Sequence, residues 1–153
     1  MDYQACIATP IVNLGILCER DVLLEIDFLP LSTPLIAPTT TFAKAVCTAL
    51  DTYFSDPNQP FKLPVAPQGT AFQQRVWAEI GRIPLGEVIN YSELARRTGS
   101  GARAVANACG ANKLPLIIPC HRVVAVNGLG GFMCGQRNAL NIKSWLLTHE
   151  GVL

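Results

Sequence analysis

The sequence predicts a mixed α/β fold of the α+β kind: a small antiparallel sheet with one helix, then a mainly helical second domain containing a helix-turn-helix. Three observations lead there. Three β-like runs open the 153-residue chain, and later apolar residues recur at helical spacing. Between them Pro57, Pro60, Pro64 and Pro67 mark a linker, which places domains at 1–67 and 68–153. Half of the residues are hydrophobic, enough for one core or two small ones.

The first elements follow from alternation. Runs near 3–8, 11–18 and 22–29 read as strands. In the third, Leu24, Ile26 and Phe28 alternate with Glu25 and Asp27, the pattern of a half-buried strand. Pro10 and the turn Glu19-Arg20-Asp21 punctuate the runs, so they should pair antiparallel. After the proline-rich stretch Pro30 to Pro38, Phe42, Val46, Leu50 and Tyr53 form one stripe of an amphipathic helix.

Past the linker the chain turns helical. Thr70 and Gln73 form a capping box, Phe72, Val76 and Ile80 the buried stripe, and Gly81 and Pro84 the stop. Ser92 is expected to cap a short helix that Gly99 closes. A second helix runs from Ala102 to about Ala111, which gives two short helices joined by a glycine turn. Ala102, Ala104, Ala106, Ala108, Gly110 and Ala111 keep that helix slim, and Arg103 is its long basic side chain. Such a surface suits either tight packing on a neighbour or close approach by a partner's backbone. Leu116-Ile117-Ile118 reads as a buried strand running into Pro119-Cys120-His121-Arg122. Gly128, Gly130 and Gly131 then form a loop. The last helix carries Ile142, Trp145, Leu146 and His149 on one face, with Glu150 at its end.

Charge separates the two parts. Residues 1–69 hold three basic and seven acidic residues, and residues 70–153 hold nine basic and four acidic, within a net charge of +1. A basic second half is compatible with an anionic partner without requiring one. The opening Met1-Asp2-Tyr3-Gln4 has neither the basic nor the apolar region of a secretory signal, and no run is long enough to span a bilayer. The six cysteines show no CxxC pair and should be free thiols. With only His121 and His149 available, no zinc spacing exists, so no metal is expected.

Cys120 is the residue with chemical promise. A thiol attacks as thiolate, and an adjacent imidazole can take its proton. In a regular strand, however, Cys120 and His121 would point to opposite faces. They can cooperate only if the strand breaks there or a water links them, and Pro119 makes a break plausible. Glu150 could orient His121.

The motif Pro119-Cys120-His121-Arg122-Val123-Val124 resembles the signature of the O6-alkylguanine-DNA alkyltransferases, the methylated-DNA–protein-cysteine methyltransferases. The resemblance extends through Gly69-Thr70-Ala71-Phe72-Gln73-Gln74-Arg75-Val76-Trp77, Ile83-Pro84-Leu85-Gly86-Glu87-Val88 and Tyr91-Ser92-Glu93-Leu94-Ala95. It continues in Arg103-Ala104-Val105, Asn112-Lys113 and Trp145-Leu146-Leu147-Thr148-His149-Glu150-Gly151. It covers the whole second domain and, more loosely, the first, for which it implies a ribonuclease-H-like shape.

The resemblance implies direct-reversal DNA repair. The alkyl group of O6-alkylguanine, and of O4-methylthymine, would move irreversibly to Cys120 after base flipping, once per molecule. Cys120 would be the acceptor, His121 the base acting through a water, Glu150 its support, and Asn112 the brace of the turn before the cysteine. Tyr91 would crowd the 3′ phosphate, help rotate the nucleotide and hydrogen-bond the base. Arg103 would fill the gap in the stack. Ala102, Ala104 and Gly110 would lie in the minor groove of double-stranded DNA, with Arg122 a further DNA contact. Pro115, Val123, Phe132 and Met133 would join Tyr91 around the substrate. No cofactor, no metal and no membrane are implied, and the protein would be a monomer in the cytoplasm, or in the nucleus of a eukaryote. Two stretches depart from the family pattern: a short turn at Gly99-Ser100-Gly101, and Met133-Cys134 with extra residues before Leu140. Other readings are a lesion-binding alkyltransferase-like protein without transfer, a helix-turn-helix regulator, and a cysteine hydrolase. The presence of Cys120 argues against the first, the Cys120–His121–Glu150 set against the second, and the lack of an oxyanion-hole segment against the third.

Overall fold

The computed structural model describes residues 2–59, 61–131 and 139–153. The chain divides into two compact units, Met1–Pro67 and Gln68–Leu153.

In the first unit, β1 (Ala5–Ala8), β2 (Asn13–Glu19) and β3 (Val22–Leu29) form an antiparallel sheet in the order β1-β2-β3. The first two strands start later than the alternation suggests. Thr9 to Val12 closes as a turn, with the Thr9 N–H donating to the Val12 carbonyl at 3.0 Å and Thr9 Oγ1 accepting from the Val12 N–H at 3.1 Å. Helix α1 (Thr41–Ser55) is capped by Thr40 and packs against β1. Its Val46, Leu50 and Tyr53 are buried as expected, joined by Ala43 and Cys47, while Phe42 stays half-exposed. Ala5, Leu14, Ile16, Leu23 and Ile26 supply the sheet's side of the core.

The second unit contains α2 (Ala71–Ile80), β4 (Ile89–Asn90), α3 (Tyr91–Thr98), α4 (Ala102–Gly110), a one-turn 3-10 helix (Cys120–Arg122), β5 (Val123–Val124) and α5 (Ala139–His149). The Thr70 capping box opens α2 as the sequence predicts, with Gln73 N–H donating to Thr70 Oγ1 at 3.1 Å and Thr70 N–H donating to Gln73 Oε1 at 2.9 Å. Val76, Trp77 and Ile80 are buried, and the Trp77 indole N–H donates to the Ala108 carbonyl at 2.8 Å, tying α2 to the end of α4.

Three expectations change. The cap of α3 is Asn90 rather than Ser92, because the Asn90 side chain accepts the Glu93 N–H at 2.8 Å and starts the helix two residues earlier. Gly99 ends α3 in the left-handed region at φ 67°, which favours glycine. Residues 116–118 are not a strand: the Ile118 N–H returns to the Leu114 carbonyl at 2.9 Å, and Leu116 takes a positive φ of 76°. Their apolarity reflects burial in a tight turn, which strand patterning cannot distinguish. On α5 the buried face is Ala139, Ile142, Lys143, Leu146 and Leu147, with Trp145 and His149 stacked on each other beside it at 4.9 Å between ring centres. No helix among the described residues is long and apolar enough to cross a membrane.

Candidate active site

The break that the Cys120–His121 pair requires is present. Pro119 sits at φ −79° and ψ 67°, and the Cys120 N–H closes an inverse γ-turn onto the Ile118 carbonyl at 2.8 Å. The Arg122 N–H then donates to the Pro119 carbonyl at 2.9 Å, winding Cys120–Arg122 into its single turn. Neighbouring side chains therefore escape the alternation of a strand. Beyond the turn β5 pairs in parallel with β4, in the register Ile89 with Val123 and Asn90 with Val124. This pairing ties the cysteine segment to the start of α3, where Tyr91 stands.

Asn112 holds the approach to the turn. Its Nδ2 donates to the Ile118 carbonyl at 2.9 Å and to Cys120 Sγ at 3.1 Å, and its Oδ1 accepts the Leu114 N–H at 2.9 Å. A buried amide thus spans both ends of the turn and touches the sulfur. Cys120 Sγ also donates to the Cys109 carbonyl at 3.7 Å. Hydrogen bonding with the Cys109 thiol and burial together hold the Cys120 proton on, while the Asn112 N–H and the Lys143 charge favour its loss. At rest Cys120 is a protonated thiol and needs a base.

A base lies next in sequence. His121 Nε2 is 2.7 Å from Glu150 Oε2, and both side chains are almost wholly buried. Burial lowers the His121 pKa and Glu150 works against that shift, so the ring is neutral near neutral pH. With Nε2–H donated to the carboxylate, Nδ1 is the acceptor nitrogen. It is the one buried side-chain N or O among the described residues without a hydrogen-bond partner. Glu150 is braced in turn by Arg122, whose Nε donates to Oε1 at 2.8 Å while its Nη1 donates to the Ile83 carbonyl at 2.8 Å.

Tyr91 and Lys143 close the other side. The Tyr91 hydroxyl donates to the Gly131 carbonyl at 3.2 Å, and burial, with Cys109 and Cys120 nearby, pushes its pKa up to about 12. Gly130, at φ 74°, lies so close to the Tyr91 ring that an added Cβ would stand 2.8 Å from it. The fully buried Lys143 donates to the Val123 carbonyl at 2.6 Å and the Gly131 carbonyl at 2.9 Å, and desolvation lowers its pKa to about 8.

The structure therefore gathers Cys120, His121, Glu150, Asn112 and Tyr91 in one unit. Pro115 and Val123 are buried nearby in sequence, but both backbone groups of Val123 already have partners, its N–H bonding the Cys120 carbonyl. Arg122, expected at DNA, has its guanidinium engaged by Glu150 and Ile83. Ala102, Arg103 and Ala104 are exposed along α4, whose Val105 and Ala108 face inward, and Gly110 is half-buried. Phe132, Met133 and the altered stretch around Cys134 lie outside the described residues. Sequence reasoning missed Lys143, although it occupies the apolar i, i+3, i+4 stripe of α5, where a lysine is out of place. Among the described residues no group of three or more His, Cys, Asp or Glu side chains could hold a metal ion.

Comparison with known proteins shows the family. The family profile described as 6-O-methylguanine DNA methyltransferase, DNA binding domain, matches residues 71–152. A methylated-DNA–protein-cysteine methyltransferase of Methanosarcina acetivorans is 31% identical over 156 residues, covering 97% of this chain and 98% of that protein. One from Shigella flexneri is 44% identical over 93 residues, covering 60% of this chain and 53% of its own length, so the match spans about half of that relative. The crystal structure of Mycobacterium tuberculosis OGT in complex with DNA is similar with a TM-score of 0.78 and 35% identity, over 95% of this chain and 90% of that one. The chain belongs to the 6-O-methylguanine DNA methyltransferase family, the methylated-DNA–protein-cysteine methyltransferases.

Proposed function

We propose that this protein repairs DNA by moving the alkyl group of O6-alkylguanine onto Cys120. The observation that carries the reading is the buried chain Arg122–Glu150–His121, which leaves an acceptor nitrogen on the residue next in sequence to a protonated Cys120. The Cys120 proton passes through a water to His121 Nδ1, and Glu150 stabilises the imidazolium that forms. The thiolate attacks the alkyl carbon in line, a C–S bond forms, the C–O bond breaks, and its electrons pass to the guanine oxygen. Asn112 keeps the sulfur in place and favours its charged form. Tyr91, held protonated, is a donor that can exchange the Gly131 carbonyl for the departing base. Displacement at saturated carbon gains most from such positioning. The thioether product has no route back, so each molecule acts once.

The same reading makes double-stranded DNA the partner. The alkyl carbon is buried in a duplex, so the nucleotide must be turned out of the stack at a cost of a few kcal/mol. The slim exposed face of α4 fits the minor groove, and Arg103 fills the space that the base leaves. O4-methylthymine presents the same kind of leaving oxygen and is the second expected substrate. Arg122 is assigned to bracing Glu150 rather than to DNA.

The test is intact mass after mixing the purified chain with duplex DNA containing O6-methylguanine. One methyl group should be gained and peptide mapping should place it on Cys120. Methyl on another cysteine would overturn the acceptor assignment, and tight binding without a change of mass would favour a lesion-binding protein.

A further inference from the structure

The transfer reaction uses one thiol, yet the site holds two. Cys109, next to the last residue of α4, lies against Cys120: its carbonyl accepts from Cys120 Sγ at 3.7 Å, and each thiol shifts the ionisation of the other. Cys109 is half-buried, whereas Cys120 is only 6% exposed. Solvent therefore reaches the Cys109 sulfur more readily. The two thiols do not share one ionisation behaviour. The hydrogen bond from Cys120 and the charge of Lys143 lower the Cys109 pKa, and burial opposes them. The partner that is easier to reach is also the partner that ionises first.

We propose that Cys109 and Cys120 form a disulfide when the protein meets a peroxide, and that thiols reverse it. A disulfide needs the sulfurs at about 2.05 Å. Cys120 Sγ already reaches the backbone of Cys109, and both residues sit at ends of short elements, Cys109 at the close of α4 and Cys120 at the start of a single 3-10 turn, where the chain can adjust as the bridge closes. The Cys109 thiolate attacks the peroxide, forms an S–O bond and releases hydroxide, which takes a proton to become water. The resulting sulfenic acid is displaced by the Cys120 sulfur. An S–S bond forms, the S–O bond breaks, and the hydroxyl leaves as water with the Cys120 proton. Two thiols are oxidised and one peroxide is reduced to two waters. The consequence for repair rests on the proposed function: with its sulfur in the bridge, Cys120 accepts no alkyl group, but it is kept from irreversible oxidation and returns on reduction.

The experiment uses the full reduced chain and hydrogen peroxide. Intact mass should fall by two hydrogens, and non-reducing peptide mapping should join the peptides of Cys109 and Cys120. Methyl transfer from O6-methylguanine DNA should be almost wholly lost and then recovered after treatment with dithiothreitol. Cys109→Ala should still transfer methyl when reduced, no more slowly than wild type because it removes a neighbour that holds the Cys120 proton on, yet lose that activity to peroxide without thiol recovery, as Cys120 advances to sulfinic acid. Cys109→Ser provides the same test should the alanine variant fold poorly. Finding Cys120 bridged to another cysteine, or finding equal thiol-reversible loss in the Cys109 variants, overturns the proposal. The mapping needs no DNA. If the reduced wild type takes up no methyl, the repair reading fails while the bridge is still decided.

Discussion

Cys47 on α1 and Cys120 on the 3-10 turn are each 6% exposed. Burial pushes the Cys47 thiol up to about 11, and the nearby Asp51 pushes the same way. The Cys120 thiol is raised as well, but Asn112 donates to its sulfur and Lys143 places a positive charge beside it. What distinguishes them is the company each keeps, since burial alone makes a thiol inert. The contrast extends to the two units. Among the described residues the buried polar side chains of the second are Thr98, Asn112, His121, Lys143 and Glu150, and the first has only Asn13. Asn13 is satisfied by the Leu31 and Thr33 carbonyls and serves a loop. Polar groups are costly to bury, so a cluster of them marks a site.

The sharpest way to break this comparison is to exchange the roles of the two thiols. Cys120→Ser should abolish methyl uptake, and Cys47→Ser should leave it unchanged, both read by intact mass. Uptake surviving in the Cys120 variant would show that surroundings do not select the acceptor. Next in size is Glu150→Gln. It keeps the shape but removes the charge that stabilises imidazolium, so the single-turnover rate should fall by about a hundredfold, the scale of a positioned base. DNA affinity should hardly change. An unchanged rate would remove the relay. Arg103→Ala follows, with an expected loss of about tenfold on duplex DNA, set by a flipping cost of a few kcal/mol, and little loss on the free base. Equal losses on both substrates would separate Arg103 from flipping.

His121 sharpens the comparison through pH. Its folded pKa is depressed below the ordinary 6.5, chiefly by desolvation. Between those two values the unfolded chain binds the proton and the folded chain does not. Stability contributed by this group is therefore complete above 6.5 and is lost as the pH falls toward the folded value. The transfer rate should stay level through 6.5 and fall only at lower pH, when Nδ1 is protonated. A titration of rate and of thermal midpoint over that window checks both, and a break at 6.5 itself would mean that the ring is solvated.

Much of this was legible in the sequence, for physical reasons that differ by element. The three strands and most of the α1 stripe read directly, but the buried face of β3 did not: the pairing shifts register between Leu17 and Cys18, so Leu23 rather than Leu24 joins Ile26 in the core. Thr70 and Gln73 read directly because a capping box is local. Cys120 stood out through its neighbours and through the family motif. The turn at residues 112–118 was not legible: it is apolar because it is buried, and its shape depends on Asn112 bonding at both ends. Asn90 and Ser92 are both good caps, and only the Glu93 N–H decides between them. The engagement of Arg122 with Glu150 joins residues 28 apart, beyond any local pattern.

The smallest expected effect compares the two threonine caps. Thr40 accepts one N–H, that of Ala43, at 3.1 Å. Thr70 accepts from Gln73, and Gln73 reaches back to the Thr70 N–H, so two donors are satisfied there. Replacing either threonine by alanine removes one side-chain acceptor and should cost about 1 kcal/mol. In Thr70→Ala the returning bond from Gln73 can persist, because it uses the backbone of residue 70. Its loss should therefore be no greater than that of Thr40→Ala, despite the richer motif. The double change Thr70→Ala with Gln73→Ala should exceed the single change by several tenths of a kcal/mol, the scale of an exposed hydrogen bond. Denaturant unfolding of the three variants measures this. None should alter the rate of methyl uptake by folded protein, because neither cap touches the Cys120 network. A slower rate in Thr70→Ala would show that the fit of α2 against α4, through Trp77 and the Ala108 carbonyl, reaches the acceptor after all.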